Sequence, residues 1–267
     1  MLCGAVCTTG LSGLSSLVFG RRKAAIVGAN DAPIPPTSPL ESPPALPQHS
    51  RPMTRYDRRF WFLAAGLAAT AGYVDAVGFL RLGGFFVSFM SGNSTRFAVG
   101  AVTNAHVAYV AGALIAGFAA GVAGGTWLSA RHGGGRLPVS LLLMGALLAL
   151  AAASDGRSPA MATSLMMAAA MGAANTIFQR DGEVSVGVTY MTGTLVKCVQ
   201  RLTAALMGSG PRWAWLPYAL LWMGLVAGAC SGAAVYGAVG TAGVWLAVAA
   251  VALLAVYARA IGRPHAP

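Results

Sequence analysis

The chain has 267 residues, is 56% hydrophobic and carries 18 Lys and Arg against 7 Asp and Glu, a net charge of +11. Between Phe60 and Ala258 only 13 residues are charged, far below the roughly 25% of a soluble domain, which excludes a water-soluble globule and points to transmembrane helices in a lipid bilayer. The basic residues stand singly at the ends of apolar runs rather than on one polar face among aromatics. That pattern excludes nucleic-acid binding and is how basic residues orient a membrane protein.

Residues 1–53 differ from the rest. They hold Pro33, Pro35, Pro36, Pro39, Pro43, Pro44, Pro47 and Pro52 of the 14 prolines in the chain, a run that cannot pack as helix or sheet and reads as a disordered extension. The apolar first twenty residues lack the preceding basic residue of a signal peptide, and Arg21-Arg22-Lys23 follows them instead. Two readings stand: the natural start lies at Met53, or the segment is a weak signal anchor.

The membrane domain is expected over 54–258, followed by a short cytoplasmic tail at 259–267. A helix needs about 20 residues to cross about 30 Å of hydrocarbon, and Phe60–Phe79, Val107–Ala130, Leu137–Ala153, Pro159–Phe178, Trp215–Tyr236 and Thr241–Tyr257 meet that demand. Two further stretches, 85–103 and 186–207, are interrupted by Arg96 and by Lys197, Gln200 and Arg201. Trp127, Trp213, Trp215, Trp245, Tyr56, Tyr236 and Tyr257 fall near span ends, as an interfacial aromatic belt does.

The two interrupted stretches are related. Val87-Ser88-Phe89-Met90-Ser91-Gly92-Asn93, followed by Arg96, aligns without gaps on Val188-Thr189-Tyr190-Met191-Thr192-Gly193-Thr194, followed by Lys197. Gly72-Tyr73-Val74-Asp75 falls opposite Gly172-Ala173-Ala174-Asn175, and the triple Gly117, Gly121 and Gly125 falls opposite Gly224, Gly228 and Gly232. The expected architecture is therefore an all-α membrane protein of two pseudo-symmetric repeats, about 60–153 and about 159–257.

Basic-residue bias arbitrates between six and eight spans. If the two interrupted stretches dip into the membrane and return, one face collects Arg55, Arg58, Arg59, Arg131, Arg136, Arg180, Arg201, Arg212, Arg259 and Arg263, and only Arg81, Arg96 and Arg157 remain on the other. Eight spans place the Arg131–Arg136 loop outside, against the bias. Six spans with both termini cytoplasmic fits better; three spans per repeat is an odd number, so the halves are inverted, as in many secondary transporters.

Asp75 is the acidic residue inside a full apolar span, and leaving it charged and alone costs at least about 2.5–3.5 kcal/mol. It needs a partner, for which Arg96 and Lys197 are the available cations; the readings are a structural pair, a protonated hydrogen-bonded carboxyl, or a site for a coupling proton or sodium ion. Ser91, Gly92 and Asn93, with Thr192, Gly193 and Thr194, can break a helix and cap the next, and Arg96 or Lys197 one turn on makes the spot suited to an anion. The competing reading is a kink whose hydroxyls satisfy their own backbone. The six glycines at four-residue spacing are assigned to close helix packing, between the halves or between protomers of a homo-oligomer.

Enzyme chemistry finds no support. Gly10-Leu11-Ser12-Gly13 lies in the extension, and His49, His106, His132 and His265 lie in loops and tails. Cys3, Cys7, Cys198 and Cys230 form neither a Cys-x-x-Cys motif nor a Cys/His cluster, so neither a disulfide framework, a metal site nor a cofactor is expected.

At Gly72-Tyr73-Val74-Asp75-Ala76-Val77-Gly78-Phe79 and Phe86-Val87-Ser88-Phe89-Met90-Ser91-Gly92-Asn93, the chain resembles the YoaK family of bacterial integral membrane proteins of unknown function, over about residues 56–258. The resemblance implies about six transmembrane segments and supplies no substrate. The expectation is a bacterial inner-membrane secondary transporter or exporter of a small polar, anionic or zwitterionic solute. The alternative is a non-transporting membrane scaffold.

Overall fold

A computed structural model describes residues 58–131, 136–177, 179–180, 183–184 and 189–261. The extension at 1–53, the Met53 start, Tyr56, the loop glycines 133–135 and the end of the tail lie outside the described residues.

The chain is an all-α membrane protein. Helices α1 (Arg58–Arg81), α2 (Met90–Thr103), α3 (Ala105–Arg131) and α4 (Arg136–Ser154) are followed by α5 (Ala160–Ala174), α6 (Met191–Leu206), α7 (Leu216–Val239) and α8 (Val244–Ile261). Between α5 and α6 a two-residue ladder pairs β1 (Gln179–Arg180) with β2 (Glu183–Val184) antiparallel. Three apolar runs are long enough to cross a membrane by length and composition: Arg58–Arg81, Ala105–Arg131 and Leu216–Ile261. The last is not one helix. A 3-10 turn at Gly240–Gly243, entered through Gly240 at φ +61°, divides it into α7 and α8. The apolar helices Val139–Ser154 and Ala160–Ala174 are shorter.

Contacts along each helix fix their relative directions. Gly224, Gly228 and Gly232 of α7 lie in turn against the backbone at Ala65, Ala69 and Tyr73 of α1, so these helices run parallel. In the same way Gly117, Gly121 and Gly125 of α3 lie in turn against Leu165, Ala169 and Thr176 at α5 and just beyond it. All six glycines meet another segment of the same chain: a Cβ on Gly232 would come within 2.5 Å of the Tyr73 carbonyl oxygen. Side chains at such positions would push the helix axes apart, which is why residues with no Cβ occupy the seams. Helix α8 runs back along α1: the Tyr73 hydroxyl donates to the Gly243 carbonyl at 2.7 Å, Leu254 covers Gly66, and the Tyr257 hydroxyl donates to the Arg59 carbonyl at 3.2 Å.

Helices α1 and α5 form the centre. Leu63, Leu67, Ala68, Ala71 and Val77 of the first, with Met167, Ala168, Ala170 and Met171 of the second, are fully buried, as are Leu141, Met144 and Leu148 of α4. Arg81 at the end of α1 pairs with Asp155, just before α5, so α5 begins at the face where α1 ends. Helices α2 and α6 are peripheral, burying only Asn93 and Gly100, and Met191 and Thr194, respectively. Helix α2 folds back on α3 about Asn104, with Gly100 against Ala108 and Phe97 against Gly112. Helix α6 leads through a tight turn into the start of α7, at the face where α1 begins.

Candidate functional site

The chain leaves α1 through Gly83 and Gly84, both at positive φ, +66° and +108°. Only glycine adopts such angles without strain, and here they reverse the chain so that it descends beside the helix it has just left. Val87 packs against Gly78, where a Cβ would approach its side chain to 2.7 Å. This brings the backbone N–H groups of Val87 and Ser88 to the Asp75 carboxylate, and both donate to Oδ1 at 2.8 Å. A carboxylate on one helix thus anchors the segment that leads into the next.

The same return is held by Asn93, which is fully buried. Its Oδ1 accepts the Phe86 N–H at 3.1 Å, and its Nδ2 donates to the Phe86 carbonyl at 2.6 Å, so one side chain pairs both backbone groups of one residue. Gly92 lies under the rings of Phe89 and Phe86, which meet edge to face with centroids 5.3 Å apart.

Asp75 is not paired with Arg96. The Arg96 guanidinium lies over the Phe85 ring, 5.0 Å from its centroid, and the ion pair present among the described residues is Arg81–Asp155. The partner the carboxylate has is backbone: the two N–H groups of Val87 and Ser88 stand where a side-chain cation was expected. Ser91 is exposed, and the neighbouring hydroxyls serve their own helix: Ser94 Oγ donates to the Met90 carbonyl and Thr95 Oγ1 to that of Ser91.

The matching segment in the second half is built on a neutral side chain. Asn175 Nδ2 donates to the Met171 carbonyl at 2.9 Å, while its Oδ1 accepts the Thr189 hydroxyl at 3.1 Å and the Thr189 N–H at 3.4 Å. Thr194 donates to the Tyr190 carbonyl at 3.1 Å. Thr192, Gly193 and Lys197 are exposed, and nothing lies within 4 Å of a Cβ placed on Gly193. Asp75 with Asn93, and Asn175 with Thr194, are therefore the members drawn into each buried junction, while Arg96, Lys197, Ser91, Thr192 and Gly193 lie at or near the surface.

A cluster that the sequence reading passed over joins three connections at the face where α1 ends. Arg81 Nη1 donates to Asp155 Oδ1 at 2.6 Å, and the Thr241 hydroxyl donates to Asp155 Oδ2. The Thr241 hydroxyl bond, opposed by partial burial and aided by Arg81, holds the Asp155 carboxyl below its ordinary value. Charge counting over six spans puts Arg81 on the same face as the Asp155-Gly156-Arg157 turn, which is the signal the sequence offers for this pair. Where α3 ends, α4 begins and the chain leaves α5, Ser129, Ser140 and Thr176 form a buried hydroxyl chain with separations of 3.1 and 3.0 Å.

Comparison with known proteins agrees with the membrane reading. Residues 63–257 match the family described as protein of unknown function (DUF1275). A UPF0700 transmembrane protein of Rhizobium meliloti (strain 1021) is 36% identical over 215 residues, covering 75% of this chain and 87% of the relative. No solved structure matches.

Proposed function

This chain belongs to the DUF1275 family, and we propose that it is a bacterial inner-membrane secondary transporter, not an enzyme, moving a small polar, anionic or zwitterionic solute. In this reading α1, α3, α4, α5, α7 and α8 cross the bilayer. Helices α2 and α6 enter and return from opposite faces, both termini are cytoplasmic, and the halves are inverted repeats. The supporting directions are those already described: α1 parallel to α7, α3 parallel to α5, and α5 starting where α1 ends.

The observation that carries the proposal is the pair of junctions at Asp75 and Asn175. Each half's first helix supplies one side chain that accepts the N–H of Ser88 or of its counterpart Thr189. Only Asp75 can change charge. Protonation by a coupling proton, or neutralisation by sodium, weakens its hold on Val87 and Ser88 and frees the start of α2, whereas the Asn175 junction stays fixed. A scaffold is the second reading, favoured by the Ser94, Thr95 and Thr194 hydroxyls spending themselves on their own backbone.

Solute flux in proteoliposomes, with and without proton and sodium gradients, tests the proposal. Asp75→Asn keeps an oxygen acceptor for the two N–H groups, as Asn175 keeps one for the Thr189 N–H, so it should fold and insert; gradient-driven flux should be lost. A fully active Asp75→Asn protein would defeat the coupling role, and no gradient-dependent flux of any polar solute by the wild type would favour the scaffold.

A further inference from the structure

Helix α6 presents two different stripes to its surroundings. Leu195, Val199 and Leu206 recur at helical spacing and are exposed. Lys197 and Arg201 stand four residues apart on another exposed side. The remaining side packs inward, with Cys198 against the cluster of Ala64, Tyr218 and Leu221. An amphipathic helix with basic residues on one side and an exposed apolar stripe on another suits a bilayer interface.

The turn after α6 is tightly built. Gly208 adopts φ +70°, Ser209 bonds the Ala204 carbonyl through both N–H and hydroxyl, and the Trp215 indole donates to the Arg212 carbonyl at 3.0 Å. This holds Arg212 and Trp213 outward, with the guanidinium 5.6 Å from the Trp213 ring centroid. An exposed indole beside an arginine is the pairing that suits the headgroup zone.

Among the described side chains, neither carboxylate, Asp75 nor Asp155, is at hand for these cations. Beyond Glu183 the chain holds Lys197, Arg201, Arg212, Arg259 and Arg263 and no Asp or Glu. Asp75 holds Val87 and Ser88, and Asp155 pairs with Arg81 at the opposite face. Lys197 and Arg201, at four-residue spacing, repel one another; a shared phosphate turns that repulsion into attraction.

We propose that α6 and the turn at 207–215 form a docking surface for anionic phospholipid headgroups. Lys197, Arg201 and Arg212 meet the phosphates, Trp213 lies at the headgroup level, and Leu195, Val199 and Leu206 enter the acyl region. The surface is independent of any transport activity.

Titration of phosphatidylglycerol into the detergent-solubilised full chain, with bound lipid counted by native mass spectrometry, tests this. Each basic residue near an anionic surface contributes roughly fivefold in affinity, so Arg201→Gln with Arg212→Gln should weaken binding roughly 25-fold. The charge-conserving Arg201→Lys with Arg212→Lys should retain it, as should Arg157→Gln on the other face. Phosphatidylcholine should bind weakly to all, excess inorganic phosphate should not displace the lipid, and wild-type affinity should fall as salt rises. Unchanged binding by the glutamine variant, equal binding of phosphatidylcholine, displacement by inorganic phosphate, or salt-independent affinity would each overturn the proposal. Should the glutamine variant not fold, the salt dependence and the lysine variant decide the matter by themselves.

Discussion

A Cβ on Gly121 would overlap the backbone carbonyl of Ala169, and one on Gly228 would overlap that of Ala69. Two seams, α3 on α5 and α7 on α1, are thus closed by the same device. Gly228→Ala should force these helices apart and cost about 1–3 kcal/mol, the usual penalty of overpacking. Gly237→Ala on the same helix, with nothing within 4 Å of its Cβ, should change stability by less than about 0.5 kcal/mol. Thermal unfolding in detergent, followed by size-exclusion chromatography, distinguishes the two.

Asn93 satisfies both backbone groups of Phe86 from a fully buried position. Asn93→Leu leaves a buried N–H and carbonyl unpaired, at about 1–3 kcal/mol for each unsatisfied group. The variant should unfold at lower temperature, and the segment from Phe85 to Phe89 should exchange its amides faster than in the wild type.

The Arg81–Asp155–Thr241 cluster makes a pH prediction. The folded Asp155 carboxyl titrates below its ordinary 3.8, so its stabilisation is present in full above the unfolded value and is lost as pH falls through that range toward the folded value. Wild-type unfolding temperature should therefore drop between about pH 5 and about pH 3 more steeply than that of Asp155→Asn. At neutral pH, Asp155→Asn and Arg81→Gln should each cost about 1–3 kcal/mol. The double variant should recover part of that loss, because no buried charge is left unpaired.

The six-span arrangement predicts the sidedness of single cysteines in a chain whose own cysteines have been replaced. In intact cells a membrane-impermeant thiol reagent should reach Ser158→Cys in the α4–α5 connection and fail to reach Gly134→Cys. Labelling at Gly134 from outside would restore eight spans.

Much of the fold was legible in the sequence, for a local reason. The free energy of moving a helix into hydrocarbon accumulates residue by residue along a run, so composition alone located the apolar segments. The division of 216–261 near Gly240 was likewise visible, because two span-length segments fit where one helix would be far longer than the bilayer. The recurrence of Val87–Asn93 in Val188–Thr194 was legible as residue types in register. The glycine triple ending at Gly232 announced a close seam, yet its partner helix was not written in it, since any backbone can approach a residue that has no side chain.

What the sequence by itself determined is a membrane protein of apolar helices, with Asp75 as an ionisable side chain inside an apolar span and in need of a partner. Tertiary structure decided the partner. Residue types advertise side-chain cations such as Arg96 and Lys197, but every residue except proline carries an N–H, so nothing in the letters marks Val87 and Ser88 as the donors. They reach Asp75 only because Gly83 and Gly84 turn the chain back at positive φ. Arg81 and Asp155 lie 74 residues apart, and which of several loop charges meet depends on which helix ends share a face, a property of packing that no local window of sequence contains.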